Sequence, residues 1–298
     1  MTRSSTRDAA PAVSTTLVLG LLAIGLAGCS SVSAPKAAKG ANASKASGTP
    51  ALPASIPAGM SPGYLGNDLP NSLTLLPPPP SEGSAAFAND EAEHDAAQAL
   101  KGTPRYTLAT SDANLTLPHA VTAFECALDM PITQQDTPRL YQLMQRVMVD
   151  AGLGTYAAKN HYNRIRPFVH YNEHTCLAAD EAALRHDGSY PSGHTAIGWV
   201  WGLLLTDLAP DRDNELLARG RAFGESRMVC NAHWQSDVLE GRAVGAGVFA
   251  QLQSNADFRR DMEAAGKEIA RQRSAGKRPS VDCATEAQAL AIKIKGVL

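Results

Sequence analysis

The chain has 298 residues, 44% of them apolar, and a formal net charge of −2 at pH 7. That length carries a sizeable core in one domain or two small ones. With so little net charge and few aromatic residues, no basic field with interleaved rings is available for stacked bases, so nucleic acid is not an expected partner. Any anion must be held by a local cluster of cations.

Arg3 and Arg7 precede the apolar run "TTLVLGLLAIGLAGC", which ends on small residues and is too short for a membrane span. It reads as an export signal. Its end, Leu26-Ala27-Gly28-Cys29, resembles the lipobox of bacterial lipoproteins. That resemblance implies a signal peptide over 1–28, an acylated Cys29, and membrane contact through the lipid anchor alone. Ser30, not Asp, follows the Cys, which implies a periplasmic protein sorted to the outer membrane. Ordinary cleavage with Cys29 incidental is the alternative. Four cysteines remain, Cys126, Cys176, Cys230 and Cys283, an even number in an exported chain. Three pairings are open, and the expected one is Cys126–Cys176 with Cys230–Cys283.

Residues 29–65 are rich in Ala, Ser, Pro, Gly and Lys and bury too little apolar surface to offset their ordering entropy, so they read as a flexible tether. "LLPPPPSEGS" (75–84) is a stiff, extended lead-in. Beyond it the pattern is helical. Residues 86–101 are Ala-rich. In "TPRLYQLMQRVMVDAG", Leu140, Leu143, Met144 and Val147 recur at helical spacing, with Gly152 as a stop. Residues 194–209 are apolar nearly all round, which predicts a buried helix, and 213–228 and 236–253 predict two more. Few stretches alternate with period two. The expected fold is all-α, a compact helical bundle over residues 66–275, with 276–298 as a C-terminal tail that Cys283 would pin.

Three polar blocks interrupt this pattern. "KNHYNRIRP" (159–167) carries Lys159, Arg164 and Arg166; "GSYPSGHT" (188–195) precedes the most apolar helix; "SRMVCNAHWQSD" (226–237) carries Arg227, His233 and Asp237. Each alone has an ordinary reading as surface charge or a turn. Together they supply an inventory for phosphoryl transfer. Lys159, Arg166 and Arg227 neutralise charge, and guanidinium forks match phosphate oxygens. Ser192 and the N–H groups of Gly193 and His194 add neutral donors beside a helix start. His233 and His194 trade protons near neutral pH, and Asp237 orients His233.

The patterns Lys159-x6-Arg166-Pro167, Pro191-Ser192-Gly193-His194 and Ser226-Arg227-x5-His233-x3-Asp237 resemble the signature of the type 2 phosphatidic acid phosphatase and vanadium haloperoxidase superfamily. Within it, "GSYPSGHT", "LLPPPPSEGSAAFANDEA", "AKNHYNRIRPF" and "HWQSDV" are similar to class A bacterial non-specific acid phosphatases over about residues 70–265. Two positions depart from that pattern: "CNAHWQ" stands where Gly and Tyr are usual before the His, and Glu225 where Gln is common. The resemblance implies an acid phosphatase that acts on small phosphomonoesters without a metal or other cofactor. His233 is then the nucleophile, Asp237 its orienter and His194 the acid. Lys159, Arg166, Ser192, Gly193 and Arg227 hold the phosphoryl oxygens. It also implies a homodimer and a phosphotransferase side activity. The alternatives are a vanadium-dependent haloperoxidase, a lipid phosphate phosphatase and a lipoprotein that only binds phosphate.

Overall fold

A computed structural model describes residues 61–296, all within the unit Gly48–Leu298. The signal over 1–28, Cys29 and most of the expected tether lie outside the described residues. In chain order the helices are α1 (Ser72–Leu75), α2 (Ala85–Gln98), α3 (Pro104–Ala113), α4 (His119–Thr122), α5 (Glu125–Leu128), α6 (Pro138–Gly154) and α7 (Tyr156–Tyr162). There follow α8 (Pro167–His170), α9 (Ala178–Leu184), α10 (Gly193–Leu208), a 3-10 turn (Pro210–Arg212), α11 (Asp213–Val229), α12 (Gln235–Leu252), α13 (Ala256–Ser274) and α14 (Cys283–Ala291). No strand occurs among the described residues, and the chain folds as an all-α bundle.

The apolar run that opens at Gly193 becomes the central helix. Val200, Trp201, Leu204 and Leu205 of α10 are fully buried with Leu140, Met144 and Val147 of α6, Phe223 of α11, and Val244 and Val248 of α12. Each such side chain contributes about 1.5–3 kcal/mol on leaving water. The Trp201 indole N–H donates to the Met144 carbonyl at 2.9 Å, so even this buried donor is satisfied. Two glycines let the neighbours come close at the end that matters. A Cβ on Gly241 of α12 would stand 2.6 Å from the Ser192 carbonyl oxygen, and one on Gly224 of α11 would stand 2.7 Å from Thr195 Cγ2. Hydrogen at these two positions brings the start of α10 against the end of α11 and the start of α12.

Both chain ends differ from the sequence expectation. The folded part begins ahead of residue 66. Tyr64 and Leu65 are buried, and their backbone N–H groups donate to the Asp150 carboxylate at 2.7 and 3.1 Å. The expected tail contains α14, which packs on α3, and the Ser280 N–H and hydroxyl both donate to buried Glu125. The disulfide pairing also needs correction: the bonds are Cys126–Cys283 and Cys176–Cys230, with Cα separations of 5.4 and 4.7 Å. Cys283 reaches Cys126 because the chain returns from α13 to α5. Cys230 reaches Cys176 because the segment after α8 lies on the turn that follows α11, where the Cys176 N–H donates to the Cys230 carbonyl at 3.1 Å.

Candidate active site

The three polar blocks meet, and backbone hydrogen bonds join them. The Ser189 N–H donates to the Arg164 carbonyl (2.8 Å), the Ser192 N–H to the Asp237 carbonyl (2.9 Å) and the Phe168 N–H to the Asn231 carbonyl (3.3 Å). The Trp234 indole N–H reaches the Ile165 carbonyl at 2.8 Å. Lys159 lies on α7, Arg166 caps α8, Ser192 caps α10, Arg227 ends α11, and His233 and Asp237 bracket the start of α12.

At the centre, His233 is 4% exposed. Its Nδ1 is 3.3 Å from Asp237 Oδ2, and its Nε2 is 3.0 Å from an Arg166 terminal nitrogen. These two partners match one tautomer, and the ring also meets the Ser189 backbone. A carboxylate only accepts and a guanidinium only donates, so Nδ1 carries the hydrogen and Nε2 presents its lone pair. Asp237 is fully buried in the first turn of α12, where its Oδ2 also accepts the Trp234 N–H at 2.9 Å. That place suits an anion, because it faces the positive end of the helix.

Three cations act on the His233 ring, each at most 4% exposed. Lys159 Nζ donates to the Gly188 carbonyl (2.8 Å) and lies 3.7 Å from the Asp187 carboxylate. Arg166 is held by the carbonyls of Leu184, Asp187, Gly188 and Ala232 and by the Asp187 carboxylate at 2.9 Å. Among the described residues Arg227 has only a long contact to Cys230 Sγ (3.7 Å), and its Nε is buried there without a hydrogen-bond partner. A buried donor left unmatched costs stability, so this guanidinium fits an anion brought from outside. Ser192 Oγ accepts from the Thr195 N–H at 3.3 Å and its hydroxyl at 2.9 Å. The N–H groups of Gly193 and His194 stand ahead of the first intrahelical bond of α10. His194, half-buried, has Nε2 3.0 Å from the Ala113 carbonyl. A carbonyl only accepts, so in the neutral ring Nε2 carries the hydrogen and Nδ1 is the atom that titrates.

The electrostatics agree with a site shaped for an anion. Burial, then Arg166, pushes Lys159 down to about 8, and burial, then Arg166, pushes Arg227 down to about 9. Burial and the neighbouring cations also hold both histidines well below the usual imidazole range: Arg227 acts on His194, and Arg166, Lys159 and Arg227 act on His233. The sign for stability follows. The unfolded chain takes up a proton at His233 near pH 6.5 while the folded chain resists it, so that part of stability is complete above about pH 6.5 and is lost as pH falls. Thermal melts of wild type and His233→Gln between pH 8 and 5 check this. Their difference is expected to be flat above pH 7 and to move steadily against wild type below about 6.5.

All eight candidate residues named from the sequence come together here. Four groups that complete the site were not singled out for a role: Asp187 and the Gly188 carbonyl, which hold the cations, and Arg164 and Asp90, which hold Asp237. The departure at "CNAHWQ" has a local explanation. Asn231 has φ of 61°, a left-handed position where Gly is easiest and Asn the next best residue. Glu225 sits 2.7 Å from Arg221 on α11. A cavity of about 590 Å³ lies between α3, α4, α11 and α14, and none of the eight residues lines it.

Comparison with known proteins agrees with this geometry. The profile of the PAP2 superfamily matches residues 144–257, a span that holds all three blocks. The chain is 43% identical over 202 residues to a non-specific acid phosphatase of Providencia stuartii, covering 67% of this chain and 82% of that protein. This chain belongs to the class A bacterial non-specific acid phosphatases of the PAP2 superfamily. It is 42% identical over 207 residues to an acid phosphatase of Zymomonas mobilis, covering 70% of this chain and 78% of that protein. To a non-specific acid phosphatase of Salmonella typhi it is 40% identical over 213 residues, 71% and 85% of the two chains. The phosphatase is therefore an enzyme whose acid phosphatase activity is expected at this site.

Proposed function

We propose that this phosphatase hydrolyses a broad range of small phosphomonoesters through a covalent phosphohistidine on His233, without a metal ion. The observation that carries the reading is the placement of the His233 ring. Its Nε2 lies 3.0 Å from Arg166, with buried Lys159 and Arg227 near enough to act on the ring, while its Nδ1 lies 3.3 Å from Asp237.

In the first step Nε2 attacks phosphorus, and the bond from phosphorus to the ester oxygen breaks. The departing oxygen takes a proton from His194 Nδ1. Lys159, Arg166, Arg227, Ser192 and the N–H groups of Gly193 and His194 take up the charge spread over the three remaining oxygens. In the second step neutral His194 accepts a proton from water. The hydroxide attacks phosphorus, the P–N bond breaks and its electron pair returns to Nε2. An alcohol in place of water completes a phosphotransfer by the same route. The convergent charges support metal independence: three cations around the reacting centre repel a divalent ion.

Acid-quenching wild-type enzyme during turnover of a labelled phosphomonoester is expected to trap acid-labile label on protein, and EDTA is expected to leave the rate unchanged. Turnover with no trapped label, or a rate abolished by EDTA and restored by a divalent ion, would overturn the reading. We further propose export and outer-membrane anchoring through Cys29. Cys29→Ser is expected to move activity from the membrane fraction to the soluble one without lowering it, and a wild type wholly soluble after export would refute the anchor.

A further inference from the structure

Arg164 belongs to the first polar block but not to the cation ring. It is 8% exposed, and its guanidinium joins two carboxylates that are themselves sealed from water. One terminal nitrogen lies 2.7 Å from Asp237 Oδ1 and 2.7 Å from Ser236 Oγ, and the other lies 2.7 Å from Asp90 Oδ2. The Ser236 N–H and hydroxyl donate to the two oxygens of Asp90 at 2.8 and 2.6 Å. Phe87 and Trp234 face the guanidinium, its carbon 5.9 and 5.4 Å from their ring centres. Asp90 and Phe87 lie on α2, more than sixty residues before Arg164. The same helix sends Asn89 to Gln235 (2.6 Å), His94 to Asn231 (3.1 Å) and Gln98 to the Met228 carbonyl (3.0 Å). One face of α2 is thus spent on the turn that carries the nucleophile.

We propose that Arg164, braced by Asp90 and Ser236, is a positioning residue for catalysis: it fixes the rotation of the Asp237 carboxylate so that Oδ2 stays aimed at His233 Nδ1–H. The carboxylate has two jobs. Oδ2 serves His233 and the Trp234 N–H, and Oδ1 has Arg164. Without Arg164 the oxygen Oδ1 is a buried, unmatched anion, and the group turns to recover a donor. The Nδ1 contact then lengthens from 3.3 Å, and the aim of Nε2 at phosphorus is lost with it. The second effect is electrostatic. Arg164 neutralises Asp237 and so limits its pull on a proton at His233. The other charged groups facing that ring are Lys159, Arg166 and Arg227, with His194 across the site and Asp187 behind Arg166. Removing one more cation from this set makes His233 easier to protonate.

A lysine cannot replace the fork, because one ammonium does not span Asp90 and Asp237 in fixed directions. Two substitutions therefore separate the effects. Arg164→Met loses both the fork and the charge. The rate of phosphohistidine formation is expected to fall about a hundredfold, the size of a misaligned reacting group. Inhibition by inorganic phosphate is expected to stay within about threefold, because the cation ring is intact. The acidic limb of kcat/KM is expected to move to higher pH. Arg164→Lys keeps the charge, so its acidic limb stays in place while formation of the intermediate still slows. If Arg164→Met does not fold, Ser236→Ala, which removes one brace, is expected to slow the same step with phosphate inhibition unchanged. Formation of the intermediate at the wild-type rate in the substituted enzymes overturns the inference, as does a loss of phosphate affinity equal to the loss of rate. The inference rests on His233 as nucleophile. A failure of that reading shows separately, as wild-type enzyme that traps no phosphate.

Discussion

His233→Ala is expected to remove turnover while leaving phosphate bound. In the proposed mechanism the substitution deletes the atom that forms the P–N bond, so the fall in kcat is expected to reach at least about 10⁴-fold, as for other removed nucleophiles. Affinity is a separate matter. Lys159 and Arg166 keep their carbonyl and carboxylate supports, Arg227 keeps its buried place, and the Arg166 nitrogen that faced Nε2 becomes free for a phosphate oxygen. Inhibition of the wild type by inorganic phosphate, compared with calorimetric binding to the variant, is expected to agree within about tenfold. A variant that still turns over would sink the covalent route. One that neither turns over nor binds phosphate would show that the histidine builds the cradle, not the bond.

The second large effect is at His194, and it depends on the leaving group. In the proposed mechanism the ring hands a proton to an alkoxide, and it does so from Nδ1, since Nε2 is held by the Ala113 carbonyl. In the first turnover, His194→Ala is expected to lose about 10² to 10⁴ in rate on an alkyl phosphate, the usual contribution of a general acid. The loss on p-nitrophenyl phosphate, whose leaving group needs little protonation, is expected to be much smaller. Water attack then lacks its base, so the variant is expected to release p-nitrophenol in a burst of one equivalent per site before slowing. Equal losses on both esters in the first turnover would remove His194 from the role of acid. In the wild type the proposed need for neutral His233 and protonated His194 is expected to give a bell-shaped profile. A bound phosphoryl anion offsets the cations that depress both rings, and the maximum is expected on the acidic side of neutrality, at about pH 5–6.5.

The sequence made the candidate site residues legible because their combination is scarce. Few folds need a lysine, two arginines, two histidines and an aspartate beside a glycine-bearing turn, and each residue sits in a short block whose spacing survives folding. The central helix was legible for a different reason: an unbroken apolar run of its length has nowhere to go but the core. What supports the site was not legible. Asp90 lies in an Ala-rich helix where an acid is ordinary, and only the folded chain brings it to Arg164. The disulfide partners were misjudged because pairing along the chain ignores the return of α14 to α5. Helix α3, "PRYTLATSDA", shows too weak an apolar stripe to stand out, although its last carbonyl orients His194.

The Cys126–Cys283 bond closes a ring of chain 157 residues around, and every residue of the three polar blocks lies inside it. In the chain-entropy account such a closure is worth about 5 kcal/mol against the unfolded state. It also changes what a peptidase can do. One cut anywhere in the ring leaves a single covalent molecule, and a cut between Cys176 and Cys230 is spanned twice. A lone nick therefore cannot carry His233 away from Lys159, Arg166 and Arg227. Only a second cleavage or a reductant then frees a piece, so the candidate site residues of this phosphatase stay tethered to one another through a breach that would sever an uncrosslinked chain.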